Sequence, residues 1–184
     1  MLQEIILITG YAGSGKDAAG HVLQKLGYKR YAFADMLKIQ CAQKYNFPFE
    51  LTQTQEGKST VVLSKSKSKT VRQVLIEEAA LMKEVHNDPA YWAKLLAESI
   101  KLDQPNKVVI TDWRYTAEIA HFQNEFRATP ITTVRIQRSS VVQSQDPSEH
   151  ELDNSSCNYT ILNDGTLEEF NDTIMLAFQN STTV

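Results

Sequence analysis

Hydrophobic and polar positions alternate along the chain between two periods. Glu4-Ile5-Ile6-Leu7-Ile8-Thr9 is a short continuous apolar run, the pattern of a strand buried on both faces. A glycine-rich turn follows, and Asp17–Leu26 then carries Val22, Leu23 and Leu26 at helical spacing before Gly27 stops it. Tyr28–Ala34 predicts a second strand and Asp35–Tyr45 a second helix. Thr70–Val85 predicts an amphipathic helix with Val71, Val74, Leu75, Ala79, Met82 and Val85 on its apolar face. Asp88 and Pro89 suit the N-cap and first position of another helix, whose buried face is Trp92, Leu95, Leu96 and Ile100.

Lys107–Thr111 predicts a third strand, Thr116–Phe126 a helix and Ile131–Gln137 a fourth strand. Ser139–Ser156 is polar and irregular, and Tyr159–Leu162 centres a short fifth strand. Thr166-x-x-Glu169 is a capping box that opens a last helix with Leu167, Phe170, Ile174 and Phe178 inward. Gln53–Thr70, with alternating Ser and Lys from Ser64 to Lys69, reads as a solvated, mobile loop inserted in the domain. Strands alternating with helices predict an α/β fold, a five-stranded parallel sheet with helices on both faces.

A length of 184 residues leaves room for about one domain. With 42% apolar and 22% charged residues, wholesale disorder is excluded. Nineteen basic against 22 acidic residues give a formal charge of −3, so no global basic field exists for gripping nucleic acid. Cys41 and Cys157 make neither a disulfide framework nor a metal cluster, and His21, His86, His121 and His150 show no metal-ligand spacing. The run Ile5–Ile8 lacks a basic flank and is too short for a signal peptide or a membrane span. The expectation is a single cytoplasmic domain over residues 1–184 with a small-molecule substrate and no membrane partner.

The strongest chemical signal is Gly10-Tyr11-Ala12-Gly13-Ser14-Gly15-Lys16-Asp17, which fits G-x-x-x-x-G-K between a predicted strand and a predicted helix. Glycines let such a loop curl so that successive N–H groups face phosphate oxygens, and the helix N-terminus adds partial positive charge. Lys16 would reach the β- and γ-phosphates. Gly10, Ala12, Gly13, Ser14, Gly15, Lys16, Asp17 and Ala18 are therefore the expected nucleotide-binding set. Asp17 stands where Ser or Thr would ligate Mg²⁺. Its carboxylate is a hard oxygen ligand that could hold the ion itself, or it caps the helix while another acid holds the metal.

Gly-Ser-Gly-Lys-Asp resembles the phosphate loop of the phage-type deoxynucleoside monophosphate kinases and of related P-loop kinases, including a phosphomevalonate kinase group. Further segments agree in order: Tyr31-Ala32-Phe33-Ala34-Asp35-x-Leu37-Lys38, Thr70-Val71-Arg72-x-x-Leu75, Asp88-Pro89-x-Tyr91-Trp92, Val109-Ile110-Thr111-Asp112-Trp113-Arg114, Pro147-Ser148-Glu149 and Asn163-Asp164-Gly165-Thr166. The resemblance implies a three-layer P-loop kinase fold using ATP and Mg²⁺. It also implies a substrate-side helical region at about 35–103, a short lid at about 138–153 and an adenine-contacting turn at Asn163 and Gly165. If the chain is phage-encoded, its compartment is the host cytoplasm.

Several side chains carry two readings. Arg135 and Arg138 end the fourth strand; Arg138, at the loop entry, is the better-placed lid arginine over phosphates or adenine, or else a solvated arginine. Asp112 ends an apolar strand, where a Mg²⁺-binding acid belongs, and a strand would place Arg114 on its face; the alternative is a plain ion pair. Arg72 is a candidate clamp on an acceptor phosphate or a surface arginine. Asp35, beside Lys38, is an N-cap, a sugar ligand or a base. Trp92 is an aromatic wall for a base or a core residue.

Lys16, Asp35 and Arg138 are thus the catalytic candidates. Asp35, Lys38, Arg72, Trp92, Asp112 and Arg114 are the substrate candidates, and Asp17 and Asp112 the metal candidates. The reaction expected is ATP-dependent phosphorylation of a deoxynucleoside monophosphate. A kinase acting on a hydroxyl of a modified base in DNA, with Lys65, Lys67 and Lys69 touching the strand, stays open, as do a nucleotide-binding protein without turnover and a homodimer.

Overall fold

In this computed structural model residues 1–64, 67–142 and 149–179 are described. Strand β1 (Glu4–Thr9) is the centre of the fold, and Ile5, Ile6, Leu7 and Ile8 are each 0% exposed. The chain then lays down α1 (Lys16–Lys25), β2 (Lys29–Tyr31) and α2 (Phe33–Lys44). After a 3-10 turn at Phe49–Thr52 come α3 (Gln55–Ser59), β3 (Val61–Ser64), β4 (Lys67–Thr70), α4 (Val71–Val85) and α5 (Tyr91–Asp103). The remainder is β5 (Lys107–Ile110), α6 (Thr116–Glu125), β6 (Ile131–Gln137), β7 (Tyr159–Leu162) and α7 (Leu167–Phe178).

The main sheet has five strands in the order β2-β5-β1-β6-β7, and every neighbouring pair is parallel. Parallel neighbours demand crossovers, and helices provide them, so the apolar strands are buried on both faces. The predicted α/β architecture is the observed one. Beyond the C-terminal ends of these strands lie Gly10, Asp112, Arg138 and Asn163, the edge where open α/β sheets bind ligands.

The chain divides into two compact units, residues 1–32 with 97–184, and residues 33–96. The first holds the sheet, with a core of Ile6, Ile8, Leu23, Val109, Val134, Phe170 and Ile174. The second packs Leu37, Cys41, Phe47, Val71, Val74 and Trp92 together. Among the described residues no helix is long and apolar enough to cross a membrane.

Several expectations are corrected. Gln53–Thr70 is not a structureless loop. Thr54 caps α3 by accepting from the Gly57 N–H at 2.9 Å, and β3 and β4 pair antiparallel. The Ser/Lys alternation looked too polar to order, but Val61-Val62-Leu63 lies opposite it and supplies the ladder. Lys65 and Ser66 lie outside the described residues. The second strand ends at Tyr31 and α2 begins at Phe33, because the apolar run Tyr31-Ala32-Phe33 is buried as a strand end and a helix start together. Asp35 is accordingly inside the first turn of α2 rather than its N-cap. The helix after Asp88-Pro89 begins later, at Tyr91, since Asp88 accepts from the Ala90 N–H at 3.0 Å in a preceding turn. Val85 and Leu167, assigned to buried faces, are 65% and 64% exposed at the last and first positions of their helices.

Candidate nucleotide site

The loop after β1 is shaped by two glycines that no other residue could replace. Gly10 has φ +141°, and a Cβ there would lie 2.3 Å from the Ile136 carbonyl oxygen, so the loop backbone rests directly on β6. Gly15 has φ +109°, and a Cβ there would lie 2.4 Å from Asn163 Nδ2. That amide donates to the Ser14 carbonyl at 2.7 Å. Asn163 is 7% exposed and is thus committed to holding the loop, with the turn after β7 as its support. Gly165, in the same turn, leaves room for Glu169, whose carboxylate accepts from the Thr166 N–H at 2.8 Å and caps α7.

Lys16, the first residue of α1, folds back over the loop. Its Nζ donates to the carbonyls of Gly10 at 2.6 Å and Tyr11 at 2.9 Å. Burial lowers the Lys16 ammonium below the ordinary lysine range, Arg114 adds to that shift, and Glu149, Asp17 and Asp112 oppose it. Lys16, Asp17, Asp112 and Arg114 thus share one electrostatic site. Asp17 is exposed in the first turn of α1, and Ala18 is half-buried behind it.

Strand β5 ends at Ile110, so the register argument pairing Asp112 with Arg114 does not hold: residues 111–115 are irregular. What fixes them is hydrogen bonding. The Trp113 N–H donates to the Ile8 carbonyl at 3.1 Å. The buried Glu118 carboxylate accepts from the N–H groups of Arg114 at 2.9 Å and Tyr115 at 3.0 Å. Arg114 then reaches Glu149, with Nη2 3.5 Å from Oε1.

Arg138 is exposed, and next to it Ser139 donates from its N–H and hydroxyl to Asp164, at 2.6 and 2.7 Å. Those bonds hold Asp164 below the usual carboxylate range, with Arg138 contributing. Arg135 is the more engaged arginine: it donates to the carbonyls of Leu152 and Ser155. It also lines a cavity of about 280 Å³ with Thr9, Gly10, Tyr11, Glu149 and Asp153. The sequence favoured Arg138 over Arg135; the signal for Arg135 is the polar segment after β6, whose carbonyls at Leu152 and Ser155 it holds. Tyr11 and Glu149 were also missed as partners. Tyr11 donates to Asp153 Oδ1 at 2.8 Å, and Ala12 N–H donates to Glu149 Oε2 at 3.1 Å. Pro147 and Ser148, before Glu149, lie outside the described residues.

The other candidates belong to the second unit. Asp35 and Lys38 pair at 3.4 Å within α2. Arg72 is exposed on α4 and donates to Gln55. Trp92 is 4% exposed, and its indole N–H donates to the Ala79 carbonyl at 3.3 Å, a core placement. Lys69 is engaged with Glu77.

Two observations suit the loop to a nucleotide's phosphates: Gly10, Gly13 and Gly15 all have positive φ, the curvature that turns successive N–H groups inward, and the buried Ser14 hydroxyl has no partner among the described residues. Asp17 and Asp112 both act electrostatically on Lys16 and are hard oxygen donors of the kind Mg²⁺ takes, while no group of three or more metal-ligating side chains is found among the described residues.

No protein-family model and no curated protein matches the chain. Solved structures do. TT1252 from Thermus thermophilus is similar at a TM-score of 0.57 and 17% identity, covering 100% of each chain. Dephospho-CoA kinase from Campylobacter jejuni gives 0.58 at 14% identity, covering 98% of each chain. Shikimate kinase from Aquifex aeolicus gives 0.50 at 16% identity, covering 96% of this chain and 97% of that one. At these identities the likeness is one of fold, and the fold is that of the P-loop kinases: a five-stranded parallel sheet flanked by helices.

Proposed function

We propose that the protein transfers the γ-phosphoryl group of ATP to a deoxynucleoside monophosphate, releasing ADP and the nucleoside diphosphate. The observation that carries this reading is the Gly10–Asp17 loop with Lys16 at the helix start and Asp112 and Arg114 beside it. The fold likeness to dephospho-CoA kinase and shikimate kinase supports phosphoryl transfer.

Phosphoryl transfer needs alignment and charge neutralisation more than covalent help. Lys16 would exchange the Gly10 and Tyr11 carbonyls for oxygens of the β- and γ-phosphates. Loop amides would hold the same phosphates, and Arg138, at the end of β6, would cover them or the adenine. Asp17 or Asp112 would hold Mg²⁺, which would supply neutralisation of phosphate charge. Arg114 is the first unit's candidate for an acceptor phosphate; in the second unit Arg72 is a candidate for a phosphate, and Asp35 and Lys38 are candidates for a sugar. An acceptor oxygen attacks the γ-phosphorus in line as the bond to the β–γ bridging oxygen breaks. A phosphate acceptor is already ionised near neutral pH, so Asp35 has a binding role here rather than that of a base.

The test is transfer of label from γ-labelled ATP to each of the four common deoxynucleoside monophosphates. Label in a nucleoside diphosphate supports the reading. Label only in inorganic phosphate, or in none of the acceptors, contradicts it.

A further inference from the structure

One side chain from a distant part of the sequence enters the phosphate loop. Glu149 Oε2 accepts from the Ala12 N–H at 3.1 Å, and Oε1 lies 3.5 Å from Arg114 Nη2. The Glu149 side chain is only 9% exposed there. A loop amide and a guanidinium are a donor pair suited to phosphate oxygens, and a carboxylate presents the same charge sign and the same acceptor atoms.

Glu149 does not stand alone. In Glu149-His150-Glu151-Leu152-Asp153 the alternate residues are acids, and each is anchored. Glu151 accepts from the Thr116 N–H and hydroxyl, both at 2.8 Å, and Asp153 accepts from Tyr11. Leu152 is 3% exposed, and Arg135 holds the carbonyls of Leu152 and Ser155. The segment is a strap fastened across the loop at several points, with its first acid inside the anion site.

We propose that Glu149 is a built-in competitor for nucleotide phosphate: its carboxylate occupies the Ala12–Arg114 anion position, and a phosphate oxygen must displace it to bind there. This rests on the reading of the loop as a nucleotide site. It goes further in making strap release and nucleotide binding one equilibrium. Apparent affinity is then lowered by the fraction of molecules in which the strap is fastened.

The test compares wild type, Glu149→Gln and Glu149→Asp. ATP and inorganic pyrophosphate are titrated by calorimetry, and amide exchange of residues 149–155 is followed without ligand. Glutamine removes the charge; aspartate keeps it but withdraws the carboxylate by one methylene. Both variants are expected to bind ATP and pyrophosphate about tenfold more tightly than wild type and to exchange faster across the strap. Unchanged or weaker binding by both variants, with wild type still binding ATP, overturns the competitor and leaves the nucleotide site standing. A gain confined to Glu149→Gln marks a long-range charge effect and also overturns it. Failure of all three proteins to bind ATP or pyrophosphate removes the nucleotide reading itself, and the competitor with it.

Discussion

The Asn163 side-chain amide donates to the Ser14 carbonyl at 2.7 Å, tying the turn after β7 to the phosphate loop across 149 positions of sequence. The contact is buried, and Gly15 leaves the amide its space. Asn163→Ala leaves a buried carbonyl without its donor, which costs about 1–3 kcal/mol. The expected result is a lower melting temperature and ATP binding weakened by about tenfold, since the loop loses its outer support. Calorimetric melting and ATP titration check it, and an unchanged ATP affinity counts against this role.

Trp92 is expected to act through packing. Its indole is 4% exposed in the core of Leu37, Cys41, Phe47, Val71 and Val74. Trp92→Ala should destabilise the protein by about 3–5 kcal/mol, and Trp92→Phe by much less. Denaturant unfolding measures both. If Trp92→Phe leaves stability intact while raising KM for an acceptor nucleotide, Trp92 is a binding wall instead.

Cys41 should be inert. Burial, with Glu78 adding and Lys44 opposing, pushes its thiol up to about 12. Glu78 is itself 3% exposed and accepts from Lys44 at 2.6 Å and Tyr45 at 2.7 Å. A thiol-specific reagent at pH 8 is expected to label at most Cys157 in the folded protein and both cysteines after denaturation. Lys44→Met removes the cation paired with a buried carboxylate, leaving Tyr45 as a donor to it, and should cost about 2 kcal/mol, less than for a fully buried pair because the Lys44 side chain is 44% exposed. Because Lys44 opposes the upward shift of the Cys41 thiol, that variant should leave Cys41 no more reactive in the folded protein.

The strap should loosen in acid. Asp153 receives hydrogen bonds from His150 Nδ1 and Tyr11, both at 2.8 Å. The His150 bond chiefly, with Tyr11 adding and partial burial opposing, holds the Asp153 carboxyl below the usual range. The folded protein therefore binds fewer protons there than the unfolded chain does. The stabilisation is complete above the ordinary aspartate pKa of about 3.9 and is lost as pH falls through the depressed folded value. Amide exchange of residues 149–155, corrected for intrinsic rates, is expected to rise on acidification below about pH 4. In Asp153→Asn it should be raised already at neutral pH, with a smaller acid increment. Identical profiles contradict the contact.

What the sequence made legible was local. The run Ile5–Ile8, the glycine loop and the Thr166–Glu169 capping box each carry their physics within a few residues, and all fold as their patterns predict. The hairpin β3–β4 was hidden because its Ser/Lys strand has no apolar face of its own, and its order comes from a partner strand. Asp112 and Arg114 are brought to Lys16 by Glu118 and by the Trp113–Ile8 hydrogen bond, not by strand alternation. The Glu149 contact joins residues 137 positions apart, and no spacing rule reaches that far. Its trace in the sequence is the alternation of acids in Glu149–Asp153, downstream of a loop built to hold anions.

The most direct measurement is coupled detection of ADP release from Mg²⁺·ATP, with each deoxynucleoside monophosphate in turn, for wild type and Lys16→Ala. The account predicts that at least one monophosphate stimulates ADP release well above the rate with ATP alone. Lys16→Ala, which lacks the ammonium that would neutralise the transferred group, is expected to lose at least about 100-fold of that stimulated rate. Release unaffected by every monophosphate, or stimulated release that survives in Lys16→Ala, would contradict it.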